Sequence, residues 1–220
     1  MIFKYLKLNF LIESRTKEFF FSVILINFLI SFLLFLSLKA SLISINIDLA
    51  ISIFIFIFYF SSFLISKNIS KYDFKNLAYK SVIMSSSDAL FFMISKIIHC
   101  LVLLVINFCF CYLFFLLFNI NTINFINFLT SNSAAILLLA ILTVIISSFS
   151  YTSKLGSSLN IITLIPLFIP IYIIQLNLSL DILINNTNIL NSIWIYIELI
   201  LIFSLFIFIQ YFSKLIYKNS

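Results

Sequence analysis

Long, nearly unbroken apolar runs alternate along the chain with short polar segments. Six such runs occupy residues 19–38, 49–66, 97–118, 129–150, 159–178 and 193–212. A helix needs about 17–25 apolar residues to cross the hydrocarbon core of a bilayer. In lipid, only a helix or a closed barrel satisfies its own backbone polar groups. The pattern therefore predicts an all-α integral membrane protein with six transmembrane helices, forming a single domain over residues 1–220. The fourth run has a blurred start, because Ser131, Asn132 and Ser133 interrupt it. The first run is longer than the apolar core of a signal peptide, and no small-residue cleavage site follows it. It is read as a retained span.

Two segments outside these runs carry a pattern of their own. In residues 1–18, Phe3, Leu6 and Phe10 share one helical face, and Lys4 and Lys7 stand beside it. That spacing predicts a basic amphipathic helix lying along the inner interface; the plainer alternative is a frayed basic terminus. Residues 67–96 form the one long inner loop. There Ile69, Phe74 and Leu77 make an apolar stripe, Lys71 and Lys75 share another face, and Asp73 and Lys80 complete the segment. Ser85, Ser86 and Ser87 ahead of Asp88 give a helix-start signal, since a side-chain oxygen can cap the free N–H groups of a first turn. The segment reads either as a short docking helix for a partner's groove or as a solvated basic linker.

Charge sets the orientation. With the N-terminus inside, twelve of the thirteen Lys and Arg residues fall on inner segments, and only Lys39 falls outside. That asymmetry places both termini inside. Composition reinforces the membrane reading: the mean hydropathy is +1.25 and only 9% of residues are charged, against about 25% in soluble domains. Phe, Ile and Asn are abundant, with one Gly and two Pro in all. This is the footprint of AT-rich codons, as in organelles and reduced bacterial genomes.

Few residue types here carry chemistry. A single glycine excludes a Gly-rich phosphate loop. The chain is therefore expected to be non-catalytic, with no metal site, no confidently bound cofactor and no nucleic-acid partner. Three intramembrane polar features stand out. His99 is either a haem or substrate contact or a hydrogen-bonded interface residue. Asn107 lies on one face of its helix with Cys100 and Cys111, as a packing stripe. Glu198, just below Trp194 and Tyr196, either lines a lateral cavity near the outer leaflet or snorkels to the interface. No Lys or Arg is expected at mid-depth.

The stretch KLGSSLNIITLIPLFIP, residues 154–170, holds the only glycine and both prolines. Gly156, Asn160, Thr163, Pro166 and Pro170 fall within roughly a third of the helix circumference at 3.6 residues per turn. Small residues on one face permit close helix approach, and each proline removes a backbone hydrogen bond. The prediction is a bent helix turning this face to the bundle interior or to a subunit interface.

The inner Lys154-Leu155-Gly156 followed by Pro166-Leu167-Phe168-Ile169-Pro170 resembles the haem exporter protein B family. The likeness extends to six spans, a basic N-terminal helix and one long inner loop, and so to nearly the whole chain. It implies an ABC-2-type permease fold, a homodimer, a separate ABC ATPase subunit, and other cytochrome c maturation proteins as partners. It implies haem as the transported or handled species. It makes Lys71, Asp73, Phe74, Lys75, Leu77 and Lys80 the ATPase-docking element. It points to the mitochondrial inner membrane, or alternatively a bacterial plasma membrane. Two other readings stand beside it: an ABC-2 exporter of another substrate, and a structural subunit of an organellar respiratory complex.

Overall fold

The apolar runs fold as helices. The computed structural model describes residues 2–15, 17–40, 47–69, 86–117, 125–152, 157–183 and 188–218. These form α1 (Ile2–Arg15), α2 (Lys17–Ala40), α3 (Ile47–Ile69), α4 (Ser86–Leu117), α5 (Phe125–Thr152), α6 (Ser157–Leu183) and α7 (Ile193–Lys218), with a 3-10 turn at Ile189–Asn191. Among the described residues, four helices are long and apolar enough to cross a membrane, over Ala89–Leu113, Phe125–Ser148, Pro166–Leu183 and Ile193–Tyr211. Shorter apolar stretches, Val23–Leu36 and Asp48–Ser62, lie within α2 and α3.

α5 is the axis of the bundle, packing against α3, α4, α6 and α7. Its sequence explains why. Ala135, Ala140, Thr143, Ser147 and Ser148 are all buried, and small side chains let neighbouring backbones approach closely. Ser131, Asn132 and Ser133, which blurred the start of this run, are helical. Their hydroxyls and amide bond back to carbonyls one turn earlier: Ser131 Oγ to Phe128 O at 2.8 Å, Asn132 Nδ2 to Phe128 O at 2.7 Å, Ser133 Oγ to Thr130 O at 2.8 Å. Local satisfaction of this kind lets polar residues continue a helix into lipid.

An aromatic cluster joins α3, α4 and α5. Phe54 meets Phe128 at 4.6 Å and Phe108 at 5.1 Å, and Phe58 meets Phe108 at 5.5 Å, all near edge-to-face. Ring pairs in this geometry add about 0.5–1.5 kcal/mol each beyond area burial.

α4 begins at Ser86, within the serine run whose helix-start signal the sequence carries, and continues into the third apolar run. The structure changes the reading of two features. Lys96, assigned above to the inner loop, is instead buried inside α4, only 1% exposed. Its ammonium sits over the Phe92 ring, 4.9 Å from the centroid. A cation held on a ring face in this way tolerates burial. Lys96 therefore lies within the apolar stretch Ala89–Leu113, toward its start, rather than in the inner loop. The second is α1, which does not rest alone on the lipid surface but runs along α4. Tyr5 meets Phe92 at 5.8 Å and Phe10 meets His99 at 4.8 Å. Both contacts advance together, so the two helices run in the same direction. Phe3, Lys4, Lys7 and Leu8 face outward, and Asn9 is the residue α1 buries.

Candidate functional site in the bundle interior

The residues available for function are the polar groups that this apolar bundle encloses. They fall into four groups. The first crosses α2, α4 and α3. Asn27 Nδ2 donates to Asn107 Oδ1 at 2.6 Å, and Asn107 Nδ2 donates to Ser61 Oγ at 2.7 Å. Ser61 Oγ in turn donates to Phe58 O at 2.9 Å. The stripe of Cys100, Asn107 and Cys111 is therefore a packing face, as its spacing predicted; all three are buried. Cys100 Sγ lies 3.1 Å from Thr143 Oγ1 of α5.

The second group links α5 to α6. Gln175 Nε2 donates to Asn132 Oδ1 at 2.6 Å and to Ser131 O at 3.2 Å, and it also approaches Ser179 Oγ at 3.2 Å. Sequence reading passed over Gln175. The signal that would have found it is a glutamine in an otherwise apolar run, opposite the Ser131–Asn132 pair.

The third lies between α1 and α4. The shared direction of these helices brings Asn9 level with Lys96 and His99. His99 is 5% exposed and its Nε2 has no hydrogen-bond partner; nor does Asn9 Nδ2. The His99 ring packs edge-on against Phe10 of α1. No group of three or more metal-ligating side chains occurs among the described residues.

The fourth centres on Glu198. Its side chain is fully buried, and neither carboxylate oxygen has a hydrogen-bond partner. Enclosed by the bundle in this way, it does not snorkel to the interface. An apolar groove of about 760 Å³ opens between α4, α5 and α7, lined by Ile97, Leu101, Ile141, Tyr196, Leu199 and Phe203 among others, and Glu198 is not among the residues that line it. Tyr59 is buried and its hydroxyl also lacks a partner. Its ring packs edge-on against Phe168 and Tyr172 of α6, at 5.9 and 5.8 Å.

The proline helix is partly as expected. Pro166 and Pro170 lie inside α6 without ending it. Both are exposed, while Phe168 and Ile171 between and beside them are buried. The proline face therefore does not turn to the interior of this bundle; of the two expectations, the one left is a subunit interface. The side chains of Asn160 and Thr163 lie outside the described part of α6. Gly156 lies outside the described residues, as do Lys71, Asp73, Phe74, Lys75, Leu77 and Lys80.

No protein-family model, curated protein or solved structure matches the chain.

Proposed function

We propose that the chain is a membrane permease subunit of an ABC transporter complex acting in c-type cytochrome biogenesis. In this reading α2 and α3 join the four long helices as spans, giving six with both termini inside. The chain hydrolyses nothing itself. A separate ATPase subunit docks on the inner face, at the segment from Lys71 to Lys80, and two copies pair within the complex. Haem, or a haem-loaded chaperone, is what the complex handles. The membrane is the mitochondrial inner membrane, with a bacterial plasma membrane as the alternative.

One observation supports a moving rather than a static role. The interior keeps polar atoms without partners on several different helices: Asn27 Oδ1, His99 Nε2, Gln175 Oε1 and both oxygens of Glu198. Buried polar groups in settled structures are nearly always paired. A bundle that alternates between two packings needs groups whose partners come and go. The choice of family rests on the Lys154-Leu155-Gly156 and Pro166 to Pro170 resemblance.

A second reading, an exporter of another substrate, is favoured by the apolar groove between α4, α5 and α7. Its lining suits an alkyl chain better than a charged cargo. Pull-down of the tagged protein in a mild detergent separates the readings. Copurification of an ABC ATPase with cytochrome c maturation proteins is the expected result. An ATPase without them favours the exporter. A respiratory complex with no ATPase overturns both.

A further inference from the structure

α1 has two faces, and the bundle covers only one of them. At 3.6 residues per turn, Ile2, Tyr5, Leu6 and Asn9 fall on one side of this helix. That side turns to α4, on which α1 mainly packs. Asn9 is buried, Ile2, Tyr5 and Leu6 are half-buried, and the Tyr5 ring meets Phe92 edge-on at 5.8 Å. The remaining described side chains, Phe3, Lys4, Lys7, Leu8, Phe10 and Leu11, are all exposed. They make one unbroken strip over about 160° of the helix surface. Lys4, Lys7 and Leu11 run down its middle. Phe3 and Phe10 form one edge, and Leu8 forms the other.

The strip's chemistry and its depth say what covers it. Phe3 is 87% exposed, and Leu8, Phe10 and Leu11 are each exposed by 40% or more. Rings and alkyl groups therefore flank two ammonium groups, and no described side chain of α1 is acidic. The contact of Tyr5 with Phe92 sets Lys4 and Lys7 beside the first turns of the apolar stretch Ala89–Leu113. For a membrane-crossing helix, that is the level at which hydrocarbon gives way to headgroups. Long lysine stems lie along apolar surface and carry their charge to such a boundary. Lying at an interface asks only for amphipathicity. Two lysines down the middle of the strip ask for negative charge as well. An acidic protein surface would answer the lysines and leave the apolar edges unmatched. A phospholipid with net negative charge answers both.

We propose that the outward face of α1 binds an anionic phospholipid, its headgroup phosphate on Lys4 and Lys7 and its acyl chains along Phe3, Leu8, Phe10 and Leu11. Each basic side chain near an anionic lipid surface strengthens binding about fivefold. An ammonium is a compact point charge without the fixed fork of a guanidinium. The site therefore selects for headgroup charge rather than headgroup shape. The inward face holds α1 on α4 through the Tyr5–Phe92 and Phe10–His99 contacts. A lipid bound to the outward face is thus fixed to the bundle. The inference rests on the membrane reading of the chain and not on what the complex transports.

Native mass spectrometry tests it on the full chain, released from nanodiscs that hold phosphatidylglycerol and phosphatidylcholine of identical chains in equal amounts. The wild type is expected to retain phosphatidylglycerol in preference to phosphatidylcholine. Lys4→Gln with Lys7→Gln is expected to lower that preference at least tenfold, and Lys4→Arg with Lys7→Arg to keep it. Glycerol phosphate, the anion without the chains, is expected to leave the bound lipid in place. Equal retention of the two lipids by the wild type overturns the site. A preference unchanged in the Gln variant puts the lipid elsewhere and overturns the assignment to α1. Displacement by glycerol phosphate shows that a free phosphate suffices, and overturns the lipid. Loss of dimer in the Gln variant with lipid retention unchanged shows that a second copy covers the strip, which also overturns it. Both lysines are exposed, so their replacement opens no cavity. An unchanged helical circular dichroism spectrum checks the fold of each variant. The pull-down above reads protein partners only, so this reading and the permease reading fail independently.

Discussion

The Asn27 amide donates to the Asn107 carbonyl oxygen at 2.6 Å, joining two helices through residues 80 positions apart. Asn107 passes the connection on to Ser61 of α3 at 2.7 Å. One side chain thus ties three helices together in an otherwise apolar layer. Hydrogen bonds between transmembrane helices contribute about 0.6 kcal/mol each on average, and up to about 1.7. Asn107→Ala leaves the Asn27 amide without its acceptor, and it is expected to cost about 1–3 kcal/mol through that orphaned donor and the small cavity. Unfolding in mixed detergent micelles measures it. A double-mutant cycle of Asn107→Ala with Ser61→Ala is expected to show coupling of about 0.5–1.5 kcal/mol. Additive losses mean that the two side chains do not act together.

Phe10 and His99 fix the register of α1 on α4, with ring centroids 4.8 Å apart and an interplanar angle of 84°. The pair Phe10→Cys with His99→Cys is expected to crosslink under mild oxidation, with the native Cys100, Cys109 and Cys111 replaced by Ser or Ala. Phe3→Cys with His99→Cys is expected not to crosslink, because Phe3 is 87% exposed. A crosslink in the second pair but not the first means that α1 lies elsewhere.

Much of this fold is legible in the sequence because lipid demands long helices, and long apolar runs declare them. The positions of α5 and α6 follow in outline from residues 129–150 and 159–178. Three things escaped. Lys96 reads as a loop residue because its charge ends the apolar run; the Phe92 ring that shelters it lies one turn back on the same helix, and i to i+4 pairing shows only once the helix start is known. The burial of Glu198 depends on how α7 is rotated against its neighbours. No spacing within α7 encodes that rotation, since its apolar residues surround the carboxylate on all sides. The outward prolines escaped for a related reason. Pro166, Pro170 and their small neighbours mark one face of α6, but which face packs is decided by Phe168 and Ile171 finding a core.

The thiols give a check on burial. Cys100 and Cys111 are buried, while Cys109 is partly exposed on the same helix. A small membrane-permeant maleimide, applied to the folded protein in detergent and read by mass spectrometry, is expected to modify Cys109 at least tenfold faster than the other two. Equal rates at all three would mean that α4 is rotated from the position described. Faster reaction at Cys100 than at Cys109 would mean the same.

If the segment from Lys71 to Lys80 receives the ATPase subunit, basic side chains there meet an acidic surface. Lys71→Glu with Lys75→Glu is expected to lower ATPase recovery in the pull-down by tenfold or more, with insertion unchanged. Charge complementarity of this kind acts mainly on association, so the deficit should ease when salt screens the reversed charges. Unchanged recovery moves the docking element away from these lysines.

Pro166 and Pro170 make the last prediction, because their effects on stability and on function should have opposite signs. Proline at positions 166 and 170 removes the hydrogen bonds to the carbonyls of Ile162 and Pro166, and an interior proline costs a helix about 3 kcal/mol relative to alanine. Both rings are exposed, so their replacement opens no internal cavity. Pro166→Ala with Pro170→Ala is therefore expected to raise the stability of the isolated protein, by about 1–3 kcal/mol after relaxation of the neighbouring turns. A straighter α6 presents a different outer surface, and under the permease reading a second copy docks there. Dimer recovery and cytochrome c maturation are expected to fall while membrane insertion is retained. A variant that is more stable and fully active shows that the two prolines carry no role beyond the helix itself. A variant that is less stable shows instead that the surrounding bundle is built around the proline-shaped backbone, and that α6 is held in place by the packing of Phe168 and Ile171 more strongly than by its own hydrogen bonds.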